Sequence, residues 1–158
     1  MKNVTYKLIT AAFLAAFSIA AHADERKSKM EHINPKGMAV NPAFSQAVKV
    51  KAGSDLLFIG GQNSVDAKGK VVAPGDLKGQ TTQALKNLQT VLESQGLKMG
   101  NVVKWNVHIV QGQSIKDGFD AFQGFWDKRS KPPAITTTIV HSLANPDFLV
   151  EVDAVAAY

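Results

Sequence analysis

The sequence predicts an α+β domain, a mixed β-sheet with two helices packed on one of its faces. Three observations lead there. Several short stretches alternate apolar and polar residues with a period of two, as half-buried strands do. Two other stretches repeat apolar residues at spacings of four and three, as amphipathic helices do. Two helices cannot cover both faces of a sheet this size, so one face stays open. The chain has 158 residues, 45% hydrophobic and 20% charged, with no cysteine and a formal charge of +5. That length suits one domain with at most an extension. The absence of cysteine excludes a disulfide framework, thiol catalysis, a thiolate zinc site and lipid attachment to a cysteine.

The first residues read as an export signal. Met1 to Lys7 carries Lys2 and Lys7 and no acid, and Leu8 to Ala21 is an apolar run broken only by Thr10 and Ser18. It ends in Ala21-His22-Ala23, with small residues where a signal peptidase reads. The run is shorter than the roughly 20 apolar residues a membrane span needs. Residues 1–23 are therefore expected to be removed after Ala23, giving a periplasmic or secreted chain without stable membrane association. The cleavage takes two lysines and no acid with it, so the charge falls from +5 to +3. Residues 24–36 (DERKSKMEHINPK) are charged and lack apolar periodicity. They are expected to form a flexible, solvated lead-in with His32 at its surface, and the folded domain is expected over 37–158.

Within the domain, Ala47 to Lys51 alternates, Gly53-Ser54-Asp55 is turn chemistry, and Leu56 to Ile59 is a short apolar run ending in Gly60-Gly61. The expectation is two strands joined by a tight turn. Asp66 to Lys70 reads as a second turn before a small strand at Val71-Val72. A helix is expected over Leu77 to Gln95, its stripe formed by Thr81, Leu85, Leu88 and Leu92 and widened by Ala84 and Val91. Gly96 stands where a left-handed capping residue belongs. Val102 to Val110 alternates, with Val103, Trp105, Val107 and Ile109 on one face and Lys104, Asn106 and His108 on the other. Ser114 to Asp117 resembles a capping box, with Asp in place of Glu or Gln. It opens a second helix whose Ile115, Phe119, Phe122 and Trp126 repeat at four, three and four, and Lys131-Pro132-Pro133 stops it. Ile135 to His141 is a β-branched run, Asn145-Pro146-Asp147 is a turn, and Phe148 to Ala157 is the last strand. The open sheet face would carry Lys104, Asn106, His108, the threonines of 136–138, Glu151 and Asp153, alongside apolar residues. Such a face suits contact between copies in a small symmetric oligomer.

Most chemical motifs are missing. No metal site is expected: His32, His108 and His141 are scattered, and no metal-ligand spacing occurs. Gly60-Gly61-Gln62 follows a strand but lacks the further glycines and the helix of a phosphate or dinucleotide loop. There is no Gly-x-Ser-x-Gly for a serine nucleophile. Nucleic acid is not an expected partner, because the residual positive charge is spread along the chain and few arginines are present. Glu151 stands out as an acid inside an apolar strand. Either it faces water with Asp153, or, if oligomer contacts enclose that face, it becomes a candidate proton donor or base.

An ordered set of motifs resembles the reactive intermediate deaminase (RidA/YjgF) family. They are Asn41-Pro42-Ala43-Phe44-Ser45-Gln46-Ala47-Val48, Phe58-Ile59-Gly60-Gly61-Gln62, the helix Gln80 to Gly96 with the following Leu97 to Lys104, Phe122 to Trp126, Lys131-Pro132-Pro133-Ala134, and Leu149 to Ala156. Together they span about residues 33–157. The resemblance implies a chorismate-mutase-like subunit, a homotrimer, and a small-molecule cleft at each subunit interface. Family members hydrolyse enamines and imines without metal or cofactor, so no cofactor is expected here. In them an arginine grips the substrate carboxylate through two hydrogen bonds, a glutamate positions water or carries a proton, and a tyrosine and a serine complete the pocket. Of these, the resemblance keeps the glutamate, as catalytic Glu151. The arginine falls on Ile135, the tyrosine on Phe44 and the serine on Gly60, so Phe44, Gly60, Gly61 and Ile135 are the expected substrate-binding positions. Loss of the bidentate contact makes imino acids poor substrates. The implied function is hydrolysis of an imine or enamine that lacks a carboxylate; the alternative is a non-catalytic trimer binding an apolar ligand or a partner protein in the same cleft. RNA cleavage or translational inhibition, associated with some relatives, is not expected.

Overall fold

A computed structural model describes residues 29–126 and 130–158. The expected signal segment lies outside the described residues. Among the described residues the strands and α-helices follow in order: β1 (Met30–Ile33), β2 (Ala47–Val50), β3 (Leu56–Gln62), α1 (Leu77–Ser94), β4 (Val102–Val110), α2 (Ile115–Gln123), β5 (Ala134–Val140) and β6 (Val150–Ala157). The main sheet has the order β3-β6-β4-β5, with β4 and β5 parallel and the other pairs antiparallel. It is the expected α+β arrangement, a mixed sheet with two helices on one face.

Alternation along the strands decides which face the helices cover. Val150, Val152, Ala154 and Ala156 of β6 are buried, as are Trp105 and Ile109 of β4 and Ile59 of β3. Helix α1 lays Leu85, Leu88 and Leu92 on them, all three without solvent exposure. Burying a leucine fully stabilises the fold by roughly 1.5–3 kcal/mol, so this stripe sets the seat of the helix. Helix α2 packs beside α1, with Gly118 and Ala121 buried and Phe122 set edge-on to Trp105 at 4.2 Å between ring centroids. Helix α1 ends as expected. Gly96 has φ +69°, its N–H donates to Glu93 O and that of Leu97 to Leu92 O. These are the paired bonds of a Schellman cap, with buried Leu97 closing over it.

Several expectations are corrected. Strands β2 and β3 do not form a hairpin: β2 pairs with β1, and β3 pairs with the C-terminal strand. Pairing with β6 lets Leu57 and Ile59 join the core, whereas β2 has only half-buried valines to offer. The lead-in is accordingly not all flexible, since Met30–Ile33 is a strand. His32 is no free surface residue either: its Nδ1 lies 2.9 Å from Pro132 O and 3.1 Å from Oγ of buried Ser45, which itself donates to Pro132 O at 2.6 Å. Val71 makes only an isolated bridge to Val65. Lastly, α2 stops at Gln123, before Gly124, leaving Trp126 outside it, and the Ser114 side chain makes no cap bond. An aspartate at the third position is one methylene shorter than the glutamate of a capping box and is left to act only on the helix dipole.

Gln80 fastens the helical layer to the far end of the sheet. Fully buried on α1, it donates through Nε2 to Asp147 O and accepts the Leu149 N–H on Oε1, both at 2.8 Å. Both backbone groups flank the turn that aims β6. Gln80→Leu keeps the apolar contacts but leaves these groups unpaired, and is expected to cost about 2 kcal/mol. Urea unfolding should show a lower midpoint with unchanged slope. A loss below about 0.5 kcal/mol would mean that water replaces both bonds.

Candidate functional site

The expected site residues fall into two groups on opposite sides of the sheet. Glu151 stands opposite His108 across the β4–β6 pair, while Ile135 stands opposite Trp105 across β4–β5. Residues 105 and 108 of one strand point to opposite faces. Glu151, Gly60 and Gly61 therefore belong to the open face, and Ile135, with Phe44, to the helical side. No single chain brings all five together.

On the open side, β3 makes room for the carboxylate. Ile59 pairs with Ala154 and Gln62 with Val152, so Gly60 and Gly61 together oppose Asp153 in a bulge. The Glu151 side chain crosses this bulge closely. A Cβ on Gly61 would stand 2.3 Å from Oε1 and 2.6 Å from Cδ, whereas a Cβ on Gly60 would meet nothing. Gly61 is thus required for space, not for an unusual φ. Asn63 Nδ2 donates to Glu151 Oε2 at 3.0 Å. Asn63 is held in turn by α1: Asn87 Nδ2 donates to Asn63 O at 3.0 Å and Val65 O at 2.9 Å, and Gln83 Nε2 donates to Asn87 Oδ1 at 2.9 Å. The chain of amides fixes one carboxylate oxygen. Among the described residues no hydrogen bond reaches Oε1, leaving it for a water or a substrate nitrogen.

Asn63, Asn87 and Gln83 were not singled out from sequence. The available signal was a pair of amides four residues apart inside α1, where asparagine is a poor helix former. Beside Glu151 on the same face, Asp153 accepts from Asn106 Nδ2 at 2.8 Å and lies 3.5 Å from His108 Nε2, and Lys104 donates to Thr136. His108 and His141 do not meet; His141 Nδ1 lies 3.1 Å from Gln111 Nε2, beyond the end of β5. Among the described residues, no three His, Cys, Asp or Glu side chains converge as metal ligands would.

On the helical side, Phe44 and Ile135 line a cavity of about 280 Å³ between α2, the 41–44 segment and strands β4, β5 and β6. Val107, Ile109, Phe119 and Phe122 add apolar walls, and Asn41, Thr81 and Thr137 are its polar residues. No charged side chain lines it.

The carboxylate and the bulge can be tested together. Gly61→Ala should push the Glu151 side chain aside and break its bond to Asn63, lowering stability by about 1 kcal/mol. In the Glu151→Ala background the same change should cost almost nothing, because the colliding atoms are gone. Equal costs in both backgrounds, measured by urea unfolding, would refute the contact.

Comparison with known proteins identifies the family. Residues 36–158 match the family model described as endoribonuclease L-PSP. A RutC family protein of Saccharolobus solfataricus is 35% identical over 115 residues, covering 72% of this chain and 85% of that one. A 2-iminobutanoate/2-iminopropanoate deaminase of Dermatophagoides farinae is 32% identical over 66 residues, 42% of this chain and 49% of the relative. Among solved structures, a Rid-family protein of unknown function from Yersinia pestis superimposes with a TM-score of 0.74 at 31% identity, covering 83% of this chain and all of that one. The chain belongs to the RutC/Rid (RidA/YjgF) family.

Proposed function

We propose that this chain is an exported Rid-family protein that assembles as a homotrimer and hydrolyses a small imine or enamine lacking a carboxylate. Each contact between copies would join the Glu151 side of one subunit to the Phe44–Ile135 cavity of its neighbour. The observation that carries the reading is the held carboxylate, with Oε2 fixed by Asn63 and Oε1 lying over Gly61. The open sheet face supports assembly, since Leu56 and Phe58 are 47% and 74% exposed there beside a polar stripe. A relative named as an imino-acid deaminase supports the reaction class.

The chemistry needs one group that holds a water and moves its proton. Glu151 takes a proton from water as the oxygen bonds to the imine carbon and passes it to the nitrogen, giving a carbinolamine. It then takes the hydroxyl proton and delivers it to the amine as the carbon–nitrogen bond breaks. A carbonyl compound and ammonia leave, and no redox partner is required. With isoleucine at 135 and phenylalanine at 44, the far half of the site offers a substrate carboxylate no ion pair.

The test generates a carboxylate-free imine and 2-iminobutanoate in situ with suitable oxidases, and traps what remains with semicarbazide. The mature protein should reduce trapping of the first far more than of the second. Glu151→Gln should lower that rate by about 10²-fold or more. Ile135→Arg should restore part of the imino-acid turnover by supplying the bidentate contact. Unchanged trapping of both imines would replace the catalytic reading with a ligand-binding one. Light scattering of the mature chain should give a trimer mass, and a monomer at micromolar concentration would remove the shared site. A Glu151→Gln chain refolded together with a Phe44→Asp chain should regain activity that neither has alone.

A further inference from the structure

We infer that the cavity behind Ile135 binds an uncharged hydrophobic molecule of one or two rings, with its single polar group at the mouth. The inference names the ligand class of the site proposed above and rests on that site only for its location. Three features carry it. The first is size. A cavity of about 150 Å³ lined by aliphatic and aromatic residues admits benzene, and this one is about 280 Å³. An indole-sized ring system or a branched chain of similar bulk fits the space.

The second feature is the distribution of polar groups. Val107, Ile109, Phe119 and Phe122 make the walls, and no Lys, Arg, His, Asp or Glu is among the lining residues. A charged ligand would lose its hydration without a compensating partner. Thr81, deep in the cavity, already spends its hydroxyl proton on Leu77 O at 2.8 Å. The remaining groups stand at the exposed rim. The Thr137 hydroxyl has no hydrogen-bond partner among the described residues, and the Asn41 Oδ1 accepts from Ala43 N at 2.8 Å while its amide NH2 is left to donate. They suit a neutral carbonyl, imine or alcohol.

The third feature is Gly118. It lies within α2, where glycine is a poor helix former and no positive φ requires it. A Cβ there would find ordinary contacts with Leu77, Thr81 and Ile109 at 3.6–3.9 Å. Alanine would therefore fit, and the backbone gives no reason for its absence. What glycine provides at this position is open volume at the cavity floor.

Binding is measured on the full mature protein by calorimetry or ligand-detected NMR with three probes of matched shape: 2-phenylethanol, phenylacetate and phenethylammonium. The neutral probe should bind about tenfold or more tightly than either charged one. Gly118→Leu should abolish binding while raising the melting temperature, and Gly118→Ala should weaken it with the same sign of thermal shift. Ile135→Arg should reverse the preference, so that phenylacetate binds best. Should Gly118→Leu fail to fold, Gly118→Ala and Ile135→Arg still decide the matter. Equal affinity for all three probes, or neutral-probe binding unaffected by both Gly118→Ala and Ile135→Arg, would overturn the inference. Binding without imine turnover would overturn the proposed reaction and leave the ligand class standing; imine turnover without neutral-probe binding would do the reverse.

Discussion

The carboxylate of Glu151 crosses the backbone of β3 at Gly61 so closely that any side chain there would displace it. Much of the surrounding structure follows from that crossing. Strand β3 bulges there, with two glycines set against one residue of β6, and the carboxylate lies in the space that Gly61 leaves open. After the bulge the chain turns into Asn63, which binds the carboxylate, and the turn is held to the helical layer by Asn87 and Gln83. The position of one acid thus depends on α1, which is seated by Leu85, Leu88 and Leu92 and tied to β6 by Gln80. The core and the candidate catalytic group share a single support.

A sheet covered on one face only sets the second constraint. Successive residues of a strand point to opposite sides, so β5 and β6 each divide their chemistry between a helical side and an open side. Glu151 and Ile135 are separated for that reason, and no rotamer change within one chain reunites them. The exposed leucine and phenylalanine on β3 leave apolar surface next to charged and amide groups. Exposed apolar side chains grouped on one face suit contact with another chain. A trimer would answer both needs at once, covering the face and closing the site.

The fold was legible wherever a local pattern reports a local fact. The alternation of 102–110 and the four-three spacing of α1 gave the elements, and Gly96 gave the helix end because a left-handed residue there almost has to be glycine. The pairing of strands was less legible. Gly53-Ser54-Asp55 looks like a hairpin turn, but whether the next strand folds back or leaves for β6 depends on a partner about a hundred residues away. His32 was read as solvated because its charged neighbours say nothing about Pro132, equally distant in sequence. The site shows the same division. Glu151 announces itself as an acid in an apolar strand, whereas Asn63, Asn87 and the space above Gly61 acquire meaning only once three elements are assembled.

The two sides of the sheet also divide the physical demands of the proposed hydrolysis. A carboxylate placed in the apolar cavity would lose its hydration with no cation there to offset the cost. Kept on the open side, half-buried and bonded to an amide, it retains access to water, as the proposed hydrolysis requires. The cavity, freed of charge, can take the hydrophobic body of a ligand and exclude water from it. With the two on opposite faces, the proposed trimer would bring them together and satisfy both demands without burying an unpaired charge.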